Sequence, residues 1–82
     1  MSALKVRLFA SARELVGEST VHVQLPPLGT VGWLRRELAR MSPALGPLLD
    51  KSAIAVNRAY VSDDHLLSPG DEVAVIPPVA GG

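Results

Sequence analysis

The chain has 82 residues, which suffices for one domain with a small core and no large internal pocket. Its 8 basic and 8 acidic residues cancel, so no surface for nucleic acid or an anionic membrane is expected. The absence of cysteine excludes disulfides and thiolate metal ligands, and no membrane-spanning apolar run or secretory leader is found. We therefore expect a cytoplasmic domain that other proteins carry or bind, rather than an enzyme that acts alone.

Two strands are predicted near the start of the chain. Residues 4–9 and residues 20–25 alternate apolar with polar side chains, which is the period of a strand buried on one face. Phe9 is the exception, because it is apolar and falls on the polar side of the first strand. Between the strands, Ser11 and Glu14 have the spacing of a capping box, which predicts a short helical turn.

The main helix is predicted to begin after Thr30, a residue type suited to cap a helix amino terminus. Apolar residues follow at helical spacing as far as Met41, so one side of this helix should cover the sheet. The helix should end at Ser42, because the proline that follows disfavours the α conformation in the preceding residue. Residues 43–50 are predicted to form a short, irregular helical turn.

Three further strands complete the prediction. Residues 53–57 are predicted to form a strand, and residues 60–61 form a very short one. Residues 72–76 form the last strand, in which inward and outward side chains alternate. Residues 68–71, Ser-Pro-Gly-Asp, predict a tight type II turn before the last strand. This order indicates an α+β fold of the ubiquitin-like β-grasp kind, a mixed sheet with one main helix packed on one face. We expect this domain to span residues 1–76.

In that topology the first and last strands are neighbours, and the alternation along each strand gives the direction of its side chains. Phe9 and Ile76 should therefore point away from the main helix, and Tyr60 is placed with them. An apolar group beside a protruding tail is what docking of another protein requires. The alternative is that these residues have no role, since single exposed apolar residues are common on protein surfaces.

The last six residues, Pro-Pro-Val-Ala-Gly-Gly over 77–82, are the most informative segment of the chain. Proline fixes φ and lacks a backbone donor, so the segment cannot continue the strand and is expected to form an extended, flexible C-terminal tail. Its side chains become smaller toward the end, so it can enter a narrow channel. The residues predicted to insert into a partner are Pro77, Pro78, Val79, Ala80 and Gly81.

The reactive group of the tail is the α-carboxylate of Gly82. A carboxylate is a poor electrophile, so chemistry at this group needs prior activation, for which adenylation by ATP is the usual route. Attack by a lysine amine would then give an isopeptide, and attack by a sulfur nucleophile would give a thiocarboxylate. Because the chain lacks cysteine, any sulfur that it carries has to sit on Gly82. The alternative is a frayed terminus without function.

Three stretches of the chain resemble the MoaD/ThiS family of ubiquitin-like proteins, in the branch of molybdopterin synthase small subunits. They are residues 9–17, residues 55–57 with 61–62, and residues 70–82, where Gly-Asp-Glu-Val precedes Pro-Pro-Val and Gly-Gly. The resemblance implies a sulfur carrier whose Gly82 is adenylated by a ubiquitin-activating-type (MoeB-like) enzyme that uses ATP. A sulfur donor protein then supplies the thiocarboxylate sulfur.

The resemblance also implies the destination of the sulfur. The tail enters a large catalytic (MoaE-like) subunit, which builds the dithiolene of molybdopterin from a cyclic pyranopterin monophosphate. The two subunits form a heterotetrameric synthase, and the small subunit binds no cofactor or metal of its own. Docking of the family's small subunits uses an apolar sheet surface, and the matching positions here are Phe9, Tyr60 and Ile76.

Other functions remain open on the sequence alone. Related Gly-Gly carriers deliver sulfur for thiazole, tRNA or cysteine, and ubiquitin-like modifiers attach to lysine. All of these proteins share activation of the C-terminal glycine and differ in the acceptor. A plain binding module, whose carboxylate is held in a nest of amides, would need no ATP.

A free-standing enzyme is disfavoured by the polar residues. His22 and His65 are interpreted as solvated surface histidines, because nothing in the sequence brings them together. The acidic pairs at residues 63–64 and 71–72 are interpreted as turn and strand-end residues rather than cation ligands. The arginines at 35–36 are expected on a solvated helix face.

The sequence alone does not place Arg13, although an ion pair of this residue would steady the root of the tail. Arg13 is a candidate partner for Glu72, which begins the last predicted strand.

Overall fold

The computed structural model describes residues 2–78, and these form five strands, three α-helices and one 3-10 turn. In chain order, the elements are β1 (Ser2–Leu8), α1 (Ala10–Val16), β2 (Thr20–Leu25), α2 (Val31–Met41), a 3-10 turn (Pro43–Leu45), α3 (Gly46–Leu49), β3 (Ala53–Val56), β4 (Ala59–Tyr60) and β5 (Glu72–Ile76). Within this part of the chain, no helix has the length and apolar character needed to cross a membrane.

The strands form one mixed sheet in the order β2-β1-β5-β3-β4. The central pair, β1 and β5, is parallel, while β2 pairs with β1 and β3 pairs with β5 in antiparallel fashion. The first and last strands are therefore neighbours, as predicted. The chain leaves the sheet from the end of β5, which is its central strand.

The core lies between the sheet and α2, because every second residue of the central strands is buried beneath the helix. Its most deeply buried members include Val6, Leu8, Leu34, Leu38, Val73 and Val75, each at most 2% exposed. Thr30 caps α2 as predicted, since its Oγ1 accepts a hydrogen bond from the Trp33 amide at 3.1 Å. The predicted α+β arrangement, with one main helix on one face of a mixed sheet, is confirmed.

The start of α1 differs from the prediction. The helix begins at Ala10, and no side chain caps it, so the capping box predicted at Ser11 and Glu14 is wrong. The chain passes directly from β1 into the helix, with the turn made at Ala10, whose φ is 49°. Ser11 is consequently already inside the helix, and Phe9, predicted as a strand residue, is the N-cap.

The β3–β4 hairpin also differs by one residue from the prediction. Asn57 was expected in a strand, but it occupies the turn with Arg58, and their φ values are 51° and 70°. Two successive residues in the left-handed backbone conformation are typical of a tight two-residue hairpin turn. Asparagine adopts this conformation more readily than most residues. The turn therefore ends β3 at Val56 and starts β4 at Ala59.

The turn before β5 has the predicted geometry. Gly70 has a φ of 87°, and the Asp71 amide donates to the Ser68 carbonyl at 3.1 Å, as a type II turn requires. The Asn57 side chain connects this turn to the hairpin, because it donates to Asp71 Oδ1 at 3.0 Å and accepts from the Glu72 amide at 2.9 Å.

The loop after β4 packs on the amino terminus of α2. The amides of Val31 and Gly32 donate to the carbonyls of His65 and Asp63, at 3.0 and 2.8 Å. Gly32 permits this approach, since a Cβ at that position would lie 3.3 Å from the Asp63 carbonyl oxygen. The loop therefore satisfies two of the amides that a helix amino terminus leaves unpaired.

Candidate docking face and tail root

The face of the sheet opposite α2, called here the helix-free face, contains a depression of about 330 Å³. Phe9, Tyr60 and Ile76 line this depression together, so the structure places the three predicted docking residues in one group. Ala55 and Ala74 lie between them. We call these five residues the apolar depression.

The strand register explains why this depression forms. Ala74 of β5 lies opposite Ala55 of β3, which in turn lies opposite Tyr60 of β4. Two short side chains in the middle of this row leave space between the longer side chains around them. Neither alanine was predicted as a docking residue, because the two lie side by side only in the register that the strands adopt.

The large side chains of the depression are accessible to a partner. Tyr60 is 72% exposed and Phe9 is 40% exposed, whereas Ile76 is half-buried. Burying a large apolar side chain is worth about 1.5–3 kcal/mol relative to leaving it in water. A partner that covers all three would therefore gain a substantial part of its affinity from this group.

Charged residues border the apolar depression. The Arg7 guanidinium carbon lies 5.4 Å from the centroid of the Phe9 ring, which is a cation–π distance. Arg58 Nε lies 3.9 Å from Glu72 Oε1, and the two side chains are 90% and 51% exposed. An ion pair that is this exposed contributes little to the free energy of unfolding. Glu72 thus pairs with Arg58 and not with Arg13, so the candidate Arg13–Glu72 pair is not formed. The hairpin turn places Arg58 beside Glu72, whereas Arg13 lies in the last turn of α1.

A second depression, of about 380 Å³, lies beside the first on the same face. It shares Arg7 and Glu72 with the first and is otherwise lined by polar residues such as Lys5, Thr20 and Asp71. Although it is larger, it contains no large apolar side chain that could anchor a partner. We therefore take the apolar depression as the candidate docking site.

The tail root is described only as far as Pro78. Pro77, predicted to belong to the tail, is buried, whereas Pro78 is exposed. The exposed part of the chain after β5 thus begins one residue later than the sequence suggested. The remaining predicted tail residues, Val79, Ala80, Gly81 and Gly82, lie outside the described residues, and their predicted roles stay predictions.

The two histidines do not meet. His22 is exposed on β2, opposite Lys5, and His65 is exposed in the loop that packs on α2.

The pKa of the Glu37 carboxyl is lowered, mainly by the hydrogen bond that it accepts from Arg40. This pair lies on α2 and away from the helix-free face, so it has no part in the candidate docking site.

The predicted acidic pairs have structural partners. Asp63 pairs with Arg35, Asp64 accepts a hydrogen bond from the Ser62 hydroxyl, and Asp71 accepts one from the Ser68 amide at 2.8 Å. Over residues 2–78, no group of three or more histidine, aspartate or glutamate side chains is arranged to hold a metal ion.

Comparison with known proteins gives matches over almost the whole chain. The model of the ThiS family matches residues 6–82. The molybdopterin synthase sulfur carrier subunit of Escherichia coli K12 is 44% identical over 81 residues, which cover 96% of this chain and 99% of that protein.

Solved structures with the same fold include two that bear on function. SAMP1 of Haloferax volcanii, a small archaeal modifier protein, is 29% identical, with a TM-score of 0.87 and coverage of 99% of this chain and 100% of that one. A chain in the complex of subunits 1 and 2 of the molybdopterin-converting factor from Helicobacter pylori is 25% identical. Its TM-score is 0.69, with coverage of 98% of this chain and 99% of that one. These similarities confirm the predicted ubiquitin-like fold.

Proposed function

Since this chain belongs to the ThiS family, we propose that it is the sulfur carrier subunit of a molybdopterin synthase. The observation that carries this proposal is the near full-length similarity to a sulfur carrier subunit, together with a family match that continues to Gly82. A match of this extent includes both the sheet that would dock and the glycines that would react.

The proposed chemistry takes place at the carboxylate of Gly82. This carboxylate attacks the α-phosphate of ATP on a ubiquitin-activating-type enzyme, which forms an acyl adenylate and releases pyrophosphate. Hydrosulfide released from a donor protein then displaces AMP and leaves a thiocarboxylate; if a persulfide attacks instead, the acyl disulfide that forms is cleaved by a second thiol, which is oxidised to a disulfide. ATP is therefore a substrate of the activating enzyme, and the carrier needs no bound cofactor.

The proposed partner in sulfur transfer is the large subunit of the synthase. The similar chain from Helicobacter pylori was solved in complex with such a second subunit, which supports this assignment. The apolar depression would dock on the large subunit while the tail enters its active site, and the catalytic groups would belong to that subunit. We further propose that the carrier works in the cytoplasm within a heterotetramer.

Intact mass spectrometry tests this proposal directly. The protein is incubated with ATP, an activating enzyme of the synthase system and a sulfur source, and a chain lacking Gly82 serves as control. We expect a mass increase that corresponds to replacing one oxygen by sulfur, and fragmentation should place it on Gly82. No increase, or sulfur found elsewhere in the chain, would contradict the proposal.

A lysine modifier is the second candidate, because the similar SAMP1 is named a modifier protein. Both functions begin with the same acyl adenylate, and they differ in whether an amine or a sulfur nucleophile attacks it. Proteins from cells that express the tagged chain can be digested and searched for lysines bearing the carrier's C-terminal remnant. Such lysines, without sulfur transfer to a pterin precursor, would favour the modifier.

A further inference from the structure

Arg35 connects three separate parts of the chain. Its Nε donates a hydrogen bond to Asp63 Oδ1 at 2.8 Å, and its Nη1 donates to the carbonyl oxygens of Leu49 and of Ser52, the latter at 2.9 Å. The Arg35 side chain is only 19% exposed. The prediction of a solvated helix face is therefore wrong for Arg35, whereas Arg36 is exposed as predicted. We call these four residues the Arg35 clamp.

The clamp holds the segment that leads into β3, the strand that pairs with β5. Ser52 directly precedes β3, whose residue Ala53 is opposite Ile76 of β5. Continuing this antiparallel register by one residue places Ser52 opposite Pro77, and both residues are buried. The Ser52 hydroxyl is itself fixed, because it donates to the Leu48 carbonyl at 2.8 Å. Ser52 is therefore fixed at the position that faces the first residue after β5 when the register is continued.

We propose that Arg35 is a positioning residue for sulfur transfer, because it fixes Ser52 and thereby sets the direction in which the tail leaves the domain. This inference rests on the proposed function, since direction matters for a tail that has to enter a partner. Two prolines follow β5, and their fixed φ transmits the direction set at the root. A change of direction at Pro77 and Pro78 would displace the residues that follow them by an amount that grows with distance along the chain.

The alternative is that Arg35 only stabilises the fold. Arg35→Lys keeps the positive charge beside Asp63, but an ammonium on a single stem cannot reproduce the planar geometry that holds all three acceptors. Arg36→Lys is the matched control, because Arg36 is the next residue on α2 and is exposed. Asp63→Asn is a second variant that weakens the clamp while leaving Arg35 in place.

The first measurement follows tail direction without any sulfur chemistry. The chain contains no cysteine, so Gln24→Cys on β2 and Gly82→Cys give two unique positions for spin labels in the full-length protein. We expect Arg35→Lys and Asp63→Asn to shift or broaden the distance distribution between the labels, and Arg36→Lys to leave it unchanged. Identical distributions in all of these folded variants would overturn the inference.

The second measurement follows transfer. Carriers without the label cysteines are converted fully to the thiocarboxylate, and single-turnover transfer to the pterin precursor is compared with the Kd for the large subunit. We expect Arg35→Lys to slow sulfur transfer on the order of tenfold or more while the Kd for the large subunit stays unchanged. The reason is that a thiocarboxylate held in the wrong position reacts more slowly. Equal rates would overturn the positioning role. If the unaltered chain never gains sulfur, the proposed function fails, whereas the label distances still report tail direction.

Discussion

Phe9 has separate tasks for its backbone and its side chain. Its carbonyl oxygen accepts a hydrogen bond from the Ala12 amide at 3.1 Å, so the backbone takes part in starting α1. Its ring is 40% exposed beside Arg7 and lines the apolar depression. A change of side chain at this position can therefore affect docking without removing a contact on which folding depends.

Phe9→Asp should separate docking from stability. Loss of the ring should weaken binding to the large subunit by about 2 kcal/mol or more, the level of an interface hot spot. Position 9 is the N-cap of α1, where aspartate is a favoured residue, so the free energy of unfolding should stay the same or rise slightly. Calorimetric titration and urea denaturation measure the two quantities.

Arg36→Glu is the control for this prediction, because Arg36 is an exposed charge on α2, across the sheet from the apolar depression. Equal affinity for the Phe9→Asp and Arg36→Glu variants would contradict a docking role. Unfolding of the Phe9→Asp variant would show that the ring is structural.

At the scale of elements, the sequence predicted best the parts whose pattern is local. The bounds of α2 and β5 agree with the prediction, because Thr30 caps the helix and the alternation in β5 reflects one buried face. The start of α1 and the β3–β4 turn were misplaced, since left-handed residues such as Ala10 and Arg58 are not recognisable from apolar spacing.

The candidate site was predictable only in part. Phe9 and Ile76 were identified from the predicted topology and the parity of the strands, and Tyr60 was placed with them and matches a docking position of the family. The structure groups all three residues as expected. The role of Arg35 was missed because its acidic partner, Asp63, lies 28 residues away, a separation that charge patterning cannot reveal.

Thr30→Ala and Ser11→Ala should have different effects on stability. The Thr30 hydroxyl accepts a hydrogen bond from the Trp33 amide. Loss of this bond should lower the free energy of unfolding by about 1 kcal/mol. α1 has no side-chain cap, so Ser11→Ala should stay within about 0.5 kcal/mol of the unaltered chain. Urea denaturation of both variants measures these changes. A comparable loss of unfolding free energy in Ser11→Ala would mean that Ser11 does cap α1.

The β3–β4 hairpin gives a prediction about backbone strain. Asn57→Ala should lower the free energy of unfolding by about 1–3 kcal/mol, because alanine is disfavoured at a φ of 51° and the side-chain bonds to Asp71 and Glu72 are lost. Asn57→Gly loses the same bonds but tolerates the φ, so its cost should be smaller. Equal costs in thermal unfolding would mean that the left-handed turn is not strained.

In the molecule as a whole, the central strands β1 and β5 contribute both to the core and to the helix-free face, and the tail follows β5. β1 and β5 bury one set of side chains beneath α2 and present the other set, including Arg7 and Ala74, on the helix-free face. The chain then continues from β5 into the two prolines. The core, the candidate docking face and the tail root are therefore all connected to the same pair of strands, so a partner that binds the apolar depression would also lie near the start of the tail.

This division of tasks predicts that the last residues are needed for chemistry and not for folding. Deleting Gly82 should abolish the gain of sulfur while changing the free energy of unfolding by at most about 0.5 kcal/mol, because the hydrophobic core formed by the described residues 2–78 lies within residues 4–75. Gly81→Val should likewise spare folding but impair activation, since a β-branched side chain obstructs a narrow channel and disfavours positive φ. Thermal unfolding and intact mass measured on the same samples test both statements. A large loss of stability in either variant would mean that the glycines support the fold, and the separation of carrier body from reactive end would then be wrong.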